Sequence, residues 1–262
     1  MKKLLPIQVE LRSHASSEKA SLYSRFFKTG PGQYGEGDVF LGLTVPTTRS
    51  CVKKHIRSMK LSDSTTLLES PYHEERLAGV LSLVHFSTHH TYSTREVAEC
   101  YLKNVQHINN WDLVDVSSGY IIGPYLSEVL TPIEKDTFVK EYITSPNIWK
   151  VRIVLLASLY FIMRRDATLT LELVGQTMNH KHDLIHKASG WMLREVGKRV
   201  SQSQLLSFLD EHAHHMPRTM LRYSIEHLTP TMRTHYMKMS ETAQTRLNQT
   251  TKPSKASDVR SG

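Results

Sequence analysis

Apolar residues recur along most of the chain at steps of three and four. After Arg76, the residues Leu77, Val80, Leu81 and Val84 fall at i, i+3, i+4 and i+7, the stripe of an amphipathic helix. In Thr131-Pro132-Ile133-Glu134 a Thr N-cap precedes Pro at the first helical position and Glu three residues on, which makes a capping box. Ser93-Thr94-Arg95-Glu96 repeats the capping pattern. Ser70-Pro71 and Ser145-Pro146 each predict a helix opening at the dipeptide. Residues Ser16–Phe27 read as a helix. The best strand candidate, Val39–Val45, reads instead as a loop leading into a helix around Arg49–Met59. The expected fold class is therefore all-α.

Similar runs recur along the chain. Arg76-Leu77-Ala78-Gly79-Val80-Leu81 is echoed by Arg152-Ile153-Val154-Leu155-Leu156-Ala157, 76 residues or two periods of 38 later. Lys187-Ala188-Ser189-Gly190-Trp191 follows after 35 residues, and Arg218-Thr219-Met220-Leu221 after 31 more. A cation heading a small-and-apolar helix at such periods predicts a superhelical solenoid of HEAT-like antiparallel helix pairs. An irregular all-α domain with similar buried helices is the alternative. One domain is expected over residues 1–240. Residues 241–262, rich in Thr, Gln, Lys and Ser, read as a disordered polar tail.

Charge narrows the partners. Lys and Arg total 33 against 25 Asp and Glu, a net charge of +8, with pI near 9.4. Such a balance favours an acidic partner, nucleic acid or an anionic surface. Cys51 and Cys100 are the two cysteines, too few for a disulfide-stapled fold or a Cys-rich zinc module. No apolar run approaches the roughly 20 residues of a membrane span. Met1–Ile7 starts like a signal peptide, but Gln8, Glu10 and Arg12 interrupt it, so a cytoplasmic protein is expected.

Candidate chemistry sits in four places. Gly30-Pro31-Gly32-Gln33-Tyr34-Gly35 fits G-x-G-x-x-G, yet no strand precedes it, so it reads as a turn. Lys28, Thr29 and open backbone N–H groups in that loop could still meet a phosphate. Fifteen histidines include the clusters His180, His182, His186 and His212, His214, His215. Neither cluster carries zinc-motif spacing, so both read as capping or solvated residues and no metal is expected. In Asn110-Trp111-Asp112-Leu113-Val114-Asp115, Trp111 and Asp115 share one helix face, and a carboxylate beside an indole suits a cationic sugar. A buried Trp with a capping Asp is the plainer reading. Trp149 with Arg152, and Lys187 with Trp191 and Arg194, also fall on common faces, suited to a sugar-phosphate backbone. The bland alternative keeps the tryptophans in the core and the cations in solvent.

Taken together, five ordered stretches resemble the AlkD-type DNA alkylation repair family, the HEAT-like-repeat alkylpurine DNA glycosylases. They are Phe27–Asp38, Phe40–Arg49, Trp111–Asp115, Ser145–Arg152 and Lys187–Glu195, within about residues 16 to 230. The resemblance implies a solenoid cradling duplex DNA in a basic concave face and excising N3- and N7-alkylated purines. It implies Asp115 as the catalytic aspartate, Trp111 and Trp191 against the lesion's deoxyribose, and Arg152 on the DNA backbone. Lys187, Arg194, Lys28 and Trp149 are the further candidate DNA contacts. Asn110 departs from the pattern, standing where some members have a second Trp, and so does Val151, where others are more polar.

The chemistry implied needs no cofactor. Alkylation at N3 or N7 gives the purine a positive charge, so it leaves as a neutral base. An oxocarbenium-like sugar remains for one carboxylate to stabilise. The expected product is an abasic site, and the expected protein is a monomer. The rivals are a non-catalytic HEAT-like binder of branched or damaged DNA, a protein-interaction scaffold, and, distantly, an NAD enzyme resting on the Gly-rich loop.

Overall fold

The computed structural model describes residues 3–239. Helices α1 (Pro6–Ser13), α2 (Ser17–Phe26), α3 (Val45–His55), α4 (Leu61–Leu68), α5 (His73–Thr88) and α6 (Thr94–Lys103) lead to the short α7 (Trp111–Asp115). Then follow α8 (Ser118–Pro124), α9 (Pro132–Ile143), α10 (Ile148–Ala157), α11 (Leu159–Ile162), α12 (Thr168–Thr177), α13 (Asp183–Arg199), α14 (Gln202–His212) and α15 (Arg218–Ser224). A further helical stretch covers 230–239. The all-α class is the one the periodicity predicts. The expected body over 1–240 comprises two compact units, the first ending at Leu169 and the second beginning at Thr170. The tail expected over 241–262 lies outside the described residues.

Helices pack on neighbours in the chain: α4 and α3 on α5, and α9 and α8 on α10, in the first unit. In the second, α13 packs on α14 and α15. The capping boxes at Ser93 and Thr131 form as expected. The two Ser-Pro starts are displaced. Helix α5 begins at His73 and α10 at Ile148. Ser70 and Ser145 instead close a turn, each hydroxyl accepting from the backbone N–H two residues on, at Tyr72 and Asn147. Asn147 then caps α10.

The amphipathic stripe is also too narrow a description of α5. Every residue from His73 to Leu83 is buried, because the helix is covered on all sides. Val151–Ala157 of α10 is buried in the same way. Such a central helix needs polar partners for whatever polar groups it carries into the interior.

Among the described residues no strand forms. Val39 makes an isolated parallel bridge to Tyr72, and the chain carries no regular structure from there up to α3. Its backbone is satisfied by the buried Glu74 carboxylate, which accepts from the N–H groups of Leu41, Gly42 and Leu43 at 2.8, 2.8 and 3.0 Å. Gly42 has φ +85°, and a Cβ there would lie 2.2 Å from the Ser16 carbonyl, so only glycine fits.

Close approach is also required at Gly190. A Cβ on α13 at this point would lie 2.4 Å from the Met220 carbonyl and 2.6 Å from the Tyr223 Cβ on α15. Gly190→Ala is expected to destabilise the protein by about 1–3 kcal/mol through overpacking, despite alanine's better helix propensity. Urea unfolding of the variant against the parent checks this. Equal or higher stability would show that α15 can move aside.

Candidate active site

Helix α7 has five residues, too few to stand alone in water. Its ends are tied down by buried side chains. Asn110, fully buried at the N-cap, accepts from the Trp111 N–H at 2.8 Å and donates to Asp38 at 3.2 Å. A short amide at this position makes both bonds. Asp112 accepts from the Leu113 N–H at 2.9 Å through one oxygen.

The other Asp112 oxygen enters a buried ion network. His73 binds Asp112 through Nε2 and Asp38 through Nδ1, both at 2.7 Å. Arg76, one turn along α5, pairs with the second Asp38 oxygen. Two carboxylates thus face two cations, and the buried set is charge-balanced. Burial alone would lower the His73 pKa. The charges and hydrogen bonds of Asp112 and Asp38 outweigh it and raise the value to about 9. Burial likewise pushes Asp38 up, but His73 and Arg76 hold it below the usual carboxylate range.

Asp115 closes α7. Arg152, from α10, grips it with Nε on Oδ1 at 2.7 Å and Nη2 on Oδ2 at 2.8 Å. Burial is the main influence on the Asp115 carboxyl and raises its pKa, Arg152 pulls it down, and the net is upward. Its side chain is 18% exposed. The carboxylate therefore reaches a cleft of about 570 Å³ while standing in largely apolar surroundings.

Aromatic rings build that cleft. Phe27 stacks on Trp111 at 5.2 Å between centroids and on Phe40 at 5.0 Å. Phe26 meets Trp111 edge-on and is 64% exposed, and Leu22 and Val45 complete the apolar lip. Asp112 and His73 also line the cleft. Such a site can hold a flat or apolar group against rings while one carboxylate faces positive charge.

The other expected contacts of the first unit, Trp149 and Lys28, do not line this cleft. Trp149, 7% exposed, packs edge-on against Tyr34 of the Gly-rich loop, so its indole presents little surface to a ligand. Lys28 is exposed, with its ammonium 5.9 Å from the Tyr34 ring centre. The backbone N–H groups of the loop are not open as expected. Gly30 donates to Gln33, Gly32 to Glu36 and Gly35 to the Lys28 carbonyl. The loop's structural product is to deliver Asp38 to His73 and Arg76. In the second unit, the half-buried Trp191 donates its indole N–H to Glu195 at 3.3 Å. Arg194 pairs with Glu226, and Lys187 with Asp183 at 2.9 Å. The His180–His186 cluster caps, as expected: His182 accepts from Leu184 and His180 from the His182 N–H.

Sequence reasoning missed His73, Arg76, Asp38 and Asp112 as members of one set. The signal available was weak: a His and an Arg three apart, with two glutamates between them, ahead of an apolar run.

The raised His73 value sets a pH dependence. The folded state holds this proton more tightly than the unfolded chain, whose ordinary value is 6.5. Its stabilisation is complete below about pH 6.5 and is lost as pH climbs through about 9. Unfolding free energy in urea is expected to fall over that window by up to about 3 kcal/mol. His73→Asn should remove that slope and cost several kcal/mol at pH 7, roughly 3–5. An equal slope in the variant would mean that the ring is neutral in the fold.

The sequence matches the family described as DNA alkylation repair enzyme over residues 7–228. A solved structure described as a predicted DNA alkylation repair enzyme from Enterococcus faecalis superposes with a TM-score of 0.66 at 18% identity, covering 82% of this chain and 97% of that one. At that identity the likeness establishes the fold, an all-α solenoid class. No curated protein matches the chain in sequence. With most of its length matched, the chain belongs to the DNA alkylation repair enzyme family.

Proposed function

We propose that the protein is a monofunctional DNA glycosylase that hydrolyses the N-glycosidic bond of cationic N3- or N7-alkylated purines in duplex DNA. The observation that carries this reading is the Asp115 carboxylate, held by Arg152 beside Trp111 at the edge of an aromatic cleft. A carboxylate in low-dielectric surroundings stabilises developing positive charge on a sugar more strongly than one in water. Trp111 offers a ring face to the deoxyribose and adds cation–π attraction as the sugar becomes cationic. The departing base is neutral once its bond breaks, so no acid is required to protonate it. Asp115 also orients the attacking water, and an abasic site remains.

Arg152 opposes the burial that pushes the Asp115 pKa up and fixes the carboxylate at the cleft edge. Trp191, Lys187 and Arg194 are assigned to the duplex, Trp191 to deoxyribose and the cations to phosphates. Their contribution should appear as a salt-dependent affinity, since phosphate neutralisation releases counterions.

A second reading rests on the same pair. Arg152 engages both Asp115 oxygens, which favours a structural ion pair in a protein that binds damaged or branched DNA without cutting it.

Single-turnover release of 7-methylguanine from a duplex oligonucleotide separates the two. Asp115→Asn should bind the duplex as the parent does and release base on the order of 10²–10³-fold more slowly. If parent and variant both bind with steep salt dependence and neither releases any N3, N7 or bulky alkylpurine above the spontaneous rate, the binder reading stands.

A further inference from the structure

A second cluster of chemistry-bearing residues lies where α1 packs on α3, and it shares no residue with the Asp115 cleft. Glu10 and His14 stand one helical turn apart at the end of α1, and Cys51 and His55 one turn apart on α3. A Glu10 carboxylate oxygen, a His14 ring nitrogen and the Cys51 sulfur all lie within 4.8 Å of one another. His55 Nε2 and Lys54 Nζ both contact Glu10 Oε2, at 2.6 and 2.9 Å.

We propose that Glu10, His14 and Cys51 form a zinc-binding site that fastens α1 to α3, with His55 orienting the Glu10 carboxylate.

The donor set selects the metal class. Calcium and magnesium take oxygen ligands, whereas one sulfur, one imidazole and one carboxylate suit zinc. Zinc bonds of roughly 2.0–2.3 Å set tetrahedral ligands about 3.4–3.7 Å apart. With every pair of donor atoms already within 4.8 Å, the cluster needs to close by no more than about 1.4 Å, within reach of side-chain rotation on paired helices. His55 and Lys54 serve as the hydrogen-bonded surroundings that ligating carboxylates usually have. The site is open to solvent on the His14 side, while Cys51 is 2% exposed. Entry is thus possible and the sulfur is shielded from bulk water. A water molecule supplies the fourth position.

The charges balance. Cys51 gives its thiol proton to solvent as the zinc–sulfur bond forms, and His14 binds as neutral imidazole. Zn²⁺ with one thiolate and one carboxylate is then neutral.

The experiment uses the full chain, free of any histidine tag, titrated with Co²⁺ and then Zn²⁺. One equivalent of cobalt should give a thiolate-to-metal charge-transfer band that zinc abolishes, and zinc should raise the melting temperature. Cys51→Ser should lose the band, His14→Ala and Glu10→Gln should weaken binding at least tenfold, and Cys100→Ser should leave it unchanged. Because Cys51 is buried, metal-free melts accompany its variant; His14 is exposed, so His14→Ala tests the site without touching the core. Absence of the band, its survival in Cys51→Ser, or unchanged affinity in His14→Ala overturns the proposal. The readout is metal binding alone, so it stands or falls independently of glycosylase activity.

Discussion

The His73 ring spans two carboxylates, Asp38 and Asp112, at 2.7 Å on each nitrogen, in an interior where an unpaired charge would be prohibitive. Three segments meet at that ring: the end of the Gly-rich loop, the first turn of α5, and α7. None of them is stable by itself. The loop lacks regular structure, α7 has five residues, and α5 carries its polar first turn into the core. The loop and α7 each bring one carboxylate, Asp38 and Asp112, and α5 brings the two cations, His73 and Arg76, so the three segments order one another or not at all. Removing any member leaves a buried charge without its partner, which costs far more than the net worth of the intact set.

The candidate site inherits its geometry from this arrangement. Asp112 anchors α7 on one side through His73, and Asp115 anchors it on the other through Arg152. Trp111 is thereby placed on the Phe27 ring, and Asp115 at the cleft edge. The two aspartates of α7 divide the labour. Asp112 is spent on structure, and Asp115 retains exposure to the cleft. A carboxylate in apolar surroundings is costly to fold, and the Arg152 pair offsets that cost while leaving the group beside the space a ligand would occupy.

Much of the fold was legible in the chain. Helix starts at Ser93 and Thr131 followed from capping chemistry, which is local and therefore written in adjacent residues. The Ser70 and Ser145 starts were displaced by two residues because the same hydroxyls can close a turn instead, and local spacing does not choose between the two bonds. The amphipathic stripe of α5 was real but incomplete. Whether a helix is covered on one face or on all depends on its neighbours, which periodicity does not contain. Spacing groups Trp149 and Arg152 on one face suited to a sugar-phosphate backbone, yet both are buried, one against Tyr34 and the other on Asp115.

The sequence by itself determined the helical class, the caps and the placing of Trp111 and Asp115 on one face, because each is set by residues within a turn or two of one another, and it carried the family resemblance in the order of five such local stretches. Only the tertiary structure decided the ionisation of His73, the fate of Arg152 and the role of the Gly-rich loop. Their partners are 35 to 39 residues away in the chain, and 72 for Asn110 and Asp38. A side chain's charge state and its availability depend on what folding brings beside it, and at such separations local pattern carries no record of the meeting.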